Sequence, residues 1–306
     1  MGDVQAGWLA SFNDPRLEAL VAEALEHNLN LRAAVARVDE AAGYAVQASA
    51  ELKPAVGLGG STALREGFAA GDPALSTSGL SLNASWEVDL WGRVRAQAAA
   101  GEAALEAAQF QLEWAYRSLA AQTAKTWFLV TEARLQQELA QEALELYQRT
   151  LSLIEAKYEQ GQVTKREVAL ARANVASGQV AVRQARGARE QATRGLEVIL
   201  GRYPAAAIKG AGEFVPVPPP IPAGIPSELL ERRPDLRAAE RAVAAQFYQI
   251  QSAEAARLPR ITLTGGLGTS SNELTNIISL ASDFWSAGAN FAAPLYTGGA
   301  LEAQVD

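Results

Sequence analysis

Residues 24–60 read ALEHNLNLRAAVARVDEAAGYAVQASAELKPAVGLGG, and residues 229–265 repeat this pattern as LLERRPDLRAAERAVAAQFYQIQSAEAARLPRITLTG. The two segments align without a gap at an offset of 205 residues (229 minus 24), and about a third of the positions are identical. This offset is too long for a solenoid, whose repeats span ~20–50 residues. The repeat therefore indicates a duplicated half-molecule, and both copies continue through a Gly/Ser-rich stretch to a second similar segment.

Each copy predicts one helix. In the first copy Asp14 is a favourable N-cap, Pro15 takes the preferred first helical position, and Ala-rich sequence continues to about Leu52. Pro54 ends this helix because proline lacks a backbone N–H, and Pro259 ends the corresponding helix of the second copy.

After each helix the spacing of apolar residues changes from about 3.6 to 2, which predicts strands. The alternation is clearest over residues 80–91 and 285–295, and weaker strands precede it at residues 55–64 and 261–270. A tilted strand that crosses a bilayer has a similar length of about 11 residues. A soluble sheet with one face against a core alternates in the same way. Four strands cannot close a membrane barrel, so the membrane interpretation requires several chains to share one.

In the membrane interpretation, the apolar face contacts lipid and the polar face lines a water-filled lumen. The predicted lipid-facing residues are Leu80, Leu82, Trp86, Val88, Trp285, Phe291 and Leu295. The predicted lumen-facing residues are Ser81, Asn83, Ser85, Glu87, Asp89, Ser286 and Asn290. Aromatic residues near the strand ends predict the girdle of such a barrel, and they are Trp86, Trp91, Phe284, Trp285 and Tyr296.

Residues 93–201, between the two copies, contain no proline and are rich in good helix formers. Gly161 and Gln162 interrupt this run, which predicts two antiparallel helices that turn at residues 161–165. The first helix, with about 68 residues, would be on the order of 100 Å long. Seven-residue spacing predicts coiled-coil packing. The spaced columns are Leu105, Leu112 and Leu119; Leu139, Leu146 and Leu153; Val168, Val175 and Val182; and Ala171, Gly178, Ala185 and Ala192.

Composition excludes several classes of function. The net charge of -7 argues against a nucleic-acid-binding protein, which would present a basic face. The chain has no Cys and a single histidine, His27, so it lacks the ligands of a structural zinc site. No arrangement of catalytic residues is present, and we predict neither an enzyme nor a bound cofactor or metal. No stretch reaches the roughly 18 apolar residues of a transmembrane helix.

Six segments resemble the TolC-like outer membrane factors, especially the lipoprotein branch of multidrug and metal efflux systems. They are WLASFNDPRLEALVAEALEHNLN (8–30), ASWEVDLWGRVR (84–95), YEQGQVTKREVALA (158–171), LLERRPDLRAAE (229–240), LPRITLT (258–264) and FAAPLYTGG (291–299). The resemblance implies a mainly α fold with a long antiparallel helical hairpin. It also implies that each protomer of a homotrimer contributes four strands to one transmembrane β-barrel in the outer membrane, with the helices in the periplasm.

The resemblance also implies a function and partners. Family members are passive export ducts for drugs, metals or other small solutes, and the pump in the inner membrane supplies the energy. The tip of the hairpin meets a periplasmic adaptor protein. Carried over to this sequence, the residues that face the adaptor are Gly161, Gln162, Val163, Thr164 and Val168. The purely structural interpretation of Gly161 is that the turn itself requires glycine.

The sequence differs from the family at both ends. It shows no signal peptide or lipid-bearing Cys near Met1, and it reaches Asp306 where a second hairpin begins in the family. We therefore expect a natural start upstream of Met1. The predicted domains are periplasmic helices at 1–53, a strand pair at 54–91, the hairpin at 92–202, a Pro-rich linker at 203–226, a helix at 227–258, a strand pair at 259–297 and the start of a second hairpin at 298–306.

Two other interpretations share the hairpin. A soluble coiled-coil interaction or scaffold protein would carry the same long helices and would need no membrane. A periplasmic adaptor also bears a helical hairpin, but it inserts one hairpin into one β-rich domain. The duplication at an offset of 205 residues argues against the adaptor.

Overall fold

The computed structural model describes residues 7–65, 75–216, 232–271 and 283–305. After a short 3-10 turn (Ala10–Phe12), its elements in chain order are α1 (Pro15–His27), α2 (Leu29–Ala50), β1 (Ala55–Arg65), β2 (Leu75–Val88), α3 (Arg93–Glu159), α4 (Lys165–Ile199), α5 (Pro234–Ala256), β3 (Arg260–Ser271), β4 (Asp283–Ala292) and α6 (Ala300–Ala303).

The predicted fold class is confirmed, because most of the described chain is helical and the strands form a single antiparallel sheet in the order β1-β2-β3-β4. Helix α3 is 67 residues long and α4 is 35 residues long. The elements form two compact units, one of Met1–Val35 with Leu112–Leu229 and the other of Ala36–Gln111 with Leu230–Asp306. Among the described residues, none of the helices combines the length and apolar character needed to cross a membrane.

The duplication holds in the structure. Helices α2 and α5 begin at Leu29 and Pro234, and strands β1 and β3 begin at Ala55 and Arg260. Both pairs of starting residues are separated by 205 positions (234 minus 29, 260 minus 55), as in the sequence alignment. The two copies therefore build the same helix–strand unit.

The first-copy helix is broken at Asn28, which corrects the prediction of one continuous helix to Leu52. Asn28 has an extended ψ of 124°, and its side-chain oxygen accepts the Leu31 N–H at 3.0 Å as an N-cap. Its amide group donates to the Ile199 carbonyl at 2.8 Å. The break thus starts a new helix and binds it to the end of α4.

The core of the first unit surrounds Trp127, whose side chain is buried together with those of Leu17, Val21 and Leu196. Asp14 connects this core to the start of α1. One of its carboxylate oxygens accepts the Arg16 and Leu17 N–H groups, and the other accepts the Trp127 indole N–H at 2.8 Å. A single acidic side chain therefore caps the helix and satisfies a buried donor.

The hairpin arms approach each other closely where the sequence predicts small residues. A Cβ on Gly178 would lie 3.0 Å from the Tyr147 ring and 3.2 Å from a Leu144 methyl group, so a larger residue here would require these side chains to shift. One of the leucine columns predicted for coiled-coil packing does not form this seam, because its side chains are exposed in the single chain, and its packing against another helix stays a prediction. The exposed residues are Leu139, Leu146 and Leu153.

In the second unit, α3 packs between α2 and α5. A Cβ on Gly101 would lie 3.2 Å from the Ala45 Cα, which requires a small residue against α2. On the α5 side, Arg241 pairs with Glu106 at 3.3 Å. The Arg237 guanidinium also lies 3.9 Å above the centre of the Phe110 ring, in cation–π geometry. These contacts hold the three helices against one another.

Candidate functional site

The pairing register of the sheet aligns like with like across all four strands. Directly opposed residues in an antiparallel sheet share a face, and successive residues alternate between faces. On one face Leu82 lies opposite Leu58 and Leu267, and Leu267 lies opposite Trp285. On the other face Asn83 lies opposite Gly57 and Gly266. Over the part of the sheet nearest the helices one face is therefore apolar and the other polar, and we call these the apolar face and the polar face of the sheet. Toward the far end, the apolar face also carries Thr62, Ser78, Thr269 and Asp283.

The register extends both faces to residues beyond the two strong strands. The apolar face also contains Val56, Leu80, Ala84, Trp86, Val88, Ile261, Leu263, Ala289 and Phe291. The polar face also contains Gly59, Ser81, Ser85, Glu87, Thr262, Thr264, Gly268, Ser286, Gly288 and Asn290. The predicted lipid-facing and lumen-facing residues within the strands fall on opposite faces. Their contact with lipid or lumen stays a prediction.

Three predicted positions need correction. Leu295 lies beyond β4, which ends at Ala292 before Pro294 removes a ladder donor, and its side chain is 97% exposed. Asp89 lies beyond the end of β2 at Val88. Phe284 does not share the apolar face of Trp285, because it pairs with Gly268 on the polar face.

The carboxylates of Glu87 and Asp89 fix the junction between β2 and α3. Glu87 accepts two parallel hydrogen bonds from Arg93, both of 2.9 Å. Asp89 accepts the Val94 and Arg95 N–H groups at 3.1 and 3.0 Å, and so caps the first turn of α3. Sequence reasoning missed these partners, although each acid precedes its arginine by six residues. Both carboxylates are thus engaged within the protein.

Two indole groups anchor the same end of the sheet. Trp86 donates to the Leu52 carbonyl at 3.0 Å, and Trp91 donates to the Pro259 carbonyl at 2.7 Å. Both acceptors lie in the connections that lead from a helix into a strand. The side chains that form the predicted girdle at this end therefore also join the helices to the sheet.

The described residues contain no group of three or more His, Cys, Asp or Glu side chains placed to hold a metal ion. His27 lies at the end of α1 with its side chain mostly exposed, close to Glu26 at 3.9 Å.

The tip of the hairpin is built from two helix caps. At the end of α3, Gly161 has a φ of +72°, and the Gly161 and Gln162 N–H groups donate to the Tyr158 and Lys157 carbonyls, each at 2.9 Å. This is a Schellman cap, in which glycine adopts the left-handed conformation. At the start of α4, Glu167 accepts the Thr164 N–H at 2.6 Å and the Thr164 hydroxyl at 2.8 Å. The turn is thereby held by hydrogen bonds within its own chain.

The tip presents most, but not all, of the predicted residues. Gly161, Gln162 and Thr164 are exposed, and Val163 is half-buried. Val168 is only 7% exposed, so its side chain packs within the hairpin, and its predicted place on the outer surface is wrong. Sequence reasoning omitted the exposed cations Lys165 and Arg166, which make the start of α4 positively charged.

Glu167 predicts a pH dependence of the tip. The Thr164 N–H, and then its hydroxyl, hold the pKa of this carboxyl below its ordinary value. Because the folded-state pKa is lowered, the contribution of the cap to stability is complete above the unfolded-state pKa. It is lost as pH falls through the folded-state value. Carbon-13 NMR of the labelled Glu167 carboxyl should show a midpoint below the usual value of about 4.3.

Thr164→Ala provides the control for this titration, because it removes the hydroxyl donor and keeps the backbone donor. We expect its midpoint to lie between that of the unchanged protein and the ordinary value. A midpoint at or above the ordinary value in the unchanged protein would contradict the cap.

The sequence of the chain also matches a known protein family. The model of the outer membrane efflux proteins matches residues 20–202 and 225–306. The chain belongs to this family. Membership confirms the predicted resemblance and the predicted outer-membrane location. It also confirms that the chain is not an enzyme, because these proteins form a transport family.

The relatives of this outer membrane efflux protein agree with the assignment. It is 29% identical over 305 residues to the cation efflux system protein CusC of Escherichia coli O6:H1, covering 98% of this chain and 66% of CusC. It is 32% identical over 310 residues to the pyoverdine export outer membrane protein OpmQ of Pseudomonas aeruginosa, covering 98% of this chain and 65% of OpmQ. The chain thus spans about two thirds of the length of these curated relatives.

Solved structures show the same fold. The Campylobacter jejuni outer membrane channel CmeC superposes with a TM-score of 0.89 at 27% identity, over 98% of this chain and 66% of CmeC.

Proposed function

We propose that this protein is the outer-membrane duct of a tripartite efflux system, through which small solutes pass passively from the periplasm to the exterior. The observation that carries the proposal is the alignment of polar and apolar faces across two strand pairs that lie far apart in the sequence. A sheet with lipid on one side and water on the other requires this arrangement. Membership of the outer membrane efflux proteins supports it.

The open edges of the sheet support a homo-oligomer. Among the described residues, β1 pairs only with β2 and β4 pairs only with β3, so each outer edge presents unpaired backbone groups. Lipid does not tolerate such groups, because it offers them no hydrogen-bond partners. Pairing of β1 from one copy with β4 of the next would remove both edges. We propose three copies, as the family resemblance implies, which would give a barrel of twelve strands.

The proposed solutes are small, and the relatives do not indicate one chemical class for them. CusC is named for cation efflux and OpmQ for pyoverdine export, which are different cargoes. We further propose that the exposed tip residues Gly161, Gln162 and Thr164 contact a periplasmic adaptor that joins the duct to an inner-membrane pump. Replacing Gln162 with Arg should then impair efflux in cells while conductance in bilayers stays normal. Loss of both activities would contradict a specific adaptor contact.

The duct is tested by purification from membranes and reconstitution. We expect a detergent-solubilised trimer by light scattering, and stepwise currents in planar lipid bilayers. A monomer that is soluble without detergent and gives no current would overturn the proposal in favour of a soluble coiled-coil scaffold.

Two neighbouring substitutions test the assignment of the faces. Trp285→Lys places a charge on the apolar face and should reduce the amount of trimer recovered from membranes. Ser286→Lys places the same charge on the polar face and should leave assembly intact while changing the ion selectivity of the current. Equal effects on assembly would show that neither face is in lipid.

A further inference from the structure

The polar face of the sheet carries one aromatic side chain among its described residues, that of Phe284. Its neighbours on this face in β3 and β4 are glycine, serine, threonine and asparagine, and Phe284 lies opposite Gly268. Phe284 is near the start of β4, at the end of the sheet remote from the helices that follow β2 and precede β3. A large apolar ring here is not explained by the apolar face, because Trp285 lies on that face and Phe284 on the opposite one.

Gly268 provides the space beneath the ring. A Cβ on Gly268 would lie 2.6 Å from the Leu80 carbonyl oxygen and 3.0 Å from the Phe284 Cζ atom. Any side chain at this position would collide with the backbone of β2. The Phe284 ring therefore lies over a position that cannot carry a side chain. The ring is nevertheless 44% exposed, so much of its surface remains free on the polar face.

The rest of the polar face offers little fixed charge. Within the described strand residues of this face, charged positions lie at the two ends of the sheet. Arg260 begins β3 and Glu87 is paired with Arg93 next to the helices, and Arg65 lies at the far end of β1. The remaining groups are hydroxyls, an amide at Asn83 and another at Asn290, and glycine backbone. Between these two ends, a solute on this face meets neutral dipoles and one π-surface.

We propose that Phe284 is a solute-contacting residue of the duct, which retains organic cations that carry aromatic or quaternary-ammonium groups. The negative face of an aromatic ring attracts such cations, and this attraction is worth about 0.5–1 kcal/mol at an exposed site. The inference rests on the proposed duct, since it requires the polar face to line the path of the solute.

The test measures block of potassium current through single reconstituted ducts by tetraphenylphosphonium. Phe284→Leu keeps an apolar side chain of similar size without the ring, and should raise the half-blocking concentration about two- to fivefold. Phe284→Tyr should retain block. Trp285→Leu is the matched control, because the adjacent side chain lies on the opposite face, and its half-blocking concentration should not change.

Each outcome separates the two claims. Normal current with unchanged block in Phe284→Leu overturns the role of Phe284 and leaves the duct intact. An equal change in Phe284→Leu and Trp285→Leu also overturns it, because the effect would then not belong to the polar face. Absence of current in the unchanged protein defeats the proposed duct, and this inference with it.

Discussion

Replacing Glu197 with alanine should lower the free energy of unfolding by about 3–5 kcal/mol, because each buried donor left without a partner costs at least about 1 kcal/mol and three donors lose their acceptor. The Glu197 side chain lies near the end of α4 and is only 2% exposed. Its carboxylate accepts the N–H groups of Ala206, Ala207 and Ile208 at 2.7, 2.6 and 3.2 Å. Alanine would leave these three partly buried donors without a partner, and the segment after α4 would lose its attachment.

Glu190→Ala is the matched control on the same helix. The Glu190 side chain is 30% exposed. Among the described residues it pairs with Arg186 and Arg194 on the helix surface, and such pairs contribute at most about 1 kcal/mol. Urea unfolding in detergent, followed by circular dichroism, compares the two variants. Glu197→Gln should lie between them, because one amide oxygen can still accept while the amide N–H₂ meets a backbone donor. Equal losses for Glu190→Ala and Glu197→Ala would contradict the role of the buried carboxylate.

The fold could be predicted from sequence where one local signal was strong. Alternation with period 2 sorted the residues of β2 and β4 into two faces, and the absence of proline over residues 93–201 predicted the hairpin. Duplication added the weaker strands β1 and β3, since each copy had to contain the same elements. Each of these signals is local in the sequence. A local pattern predicts structure well when only one face of the element is buried.

Features set by tertiary contacts could not be predicted in the same way. The break at Asn28 depends on its hydrogen bond to Ile199, which is 171 residues away in the chain. The outward position of Leu146 depends on how α4 packs against α3, and seven-residue spacing does not say which column forms the seam. The glycine at position 268 is explained only by the Leu80 carbonyl on the neighbouring strand.

Some features that were not predicted could have been predicted from the sequence. Residues 284 and 285 are adjacent in a strand, so alternation alone assigns Phe284 and Trp285 to opposite faces. The acids of the segment EVDLWGRVR each precede an arginine by six residues, which is compatible with the observed pairs across a turn. The partners of Glu87 and Asp89 lie in the helix that follows the strand, and the assignment of these acids to a lumen stays a prediction.

Gly201→Ala is expected to destabilise the protein far more than Gly161→Ala, although both glycines occupy the same position in a Schellman cap. Their φ angles are +73° and +72°. At Gly201 the following N–H, from Arg202, donates to the Glu197 carbonyl at 2.8 Å, as that of Gln162 donates to Lys157 at the tip. A left-handed conformation costs an alanine about 1–2 kcal/mol, and both variants incur this cost.

The surroundings of the two glycines differ, and the difference isolates a steric cost. A Cβ on Gly161 meets nothing within 4 Å, whereas a Cβ on Gly201 would lie 2.6 Å from the His27 carbonyl oxygen at the end of α1. The backbone at His27 cannot rotate away as a side chain could, so α1 must shift from the end of α4. Forcing extra atoms into a packed site costs about 1–3 kcal/mol, and we expect Gly201→Ala to exceed Gly161→Ala by this amount in urea unfolding. Equal losses in the two variants would mean that α1 does not pack against the end of α4 in solution. The Asn28 side chain, which donates to Ile199, would then lose its role as the link between these helices.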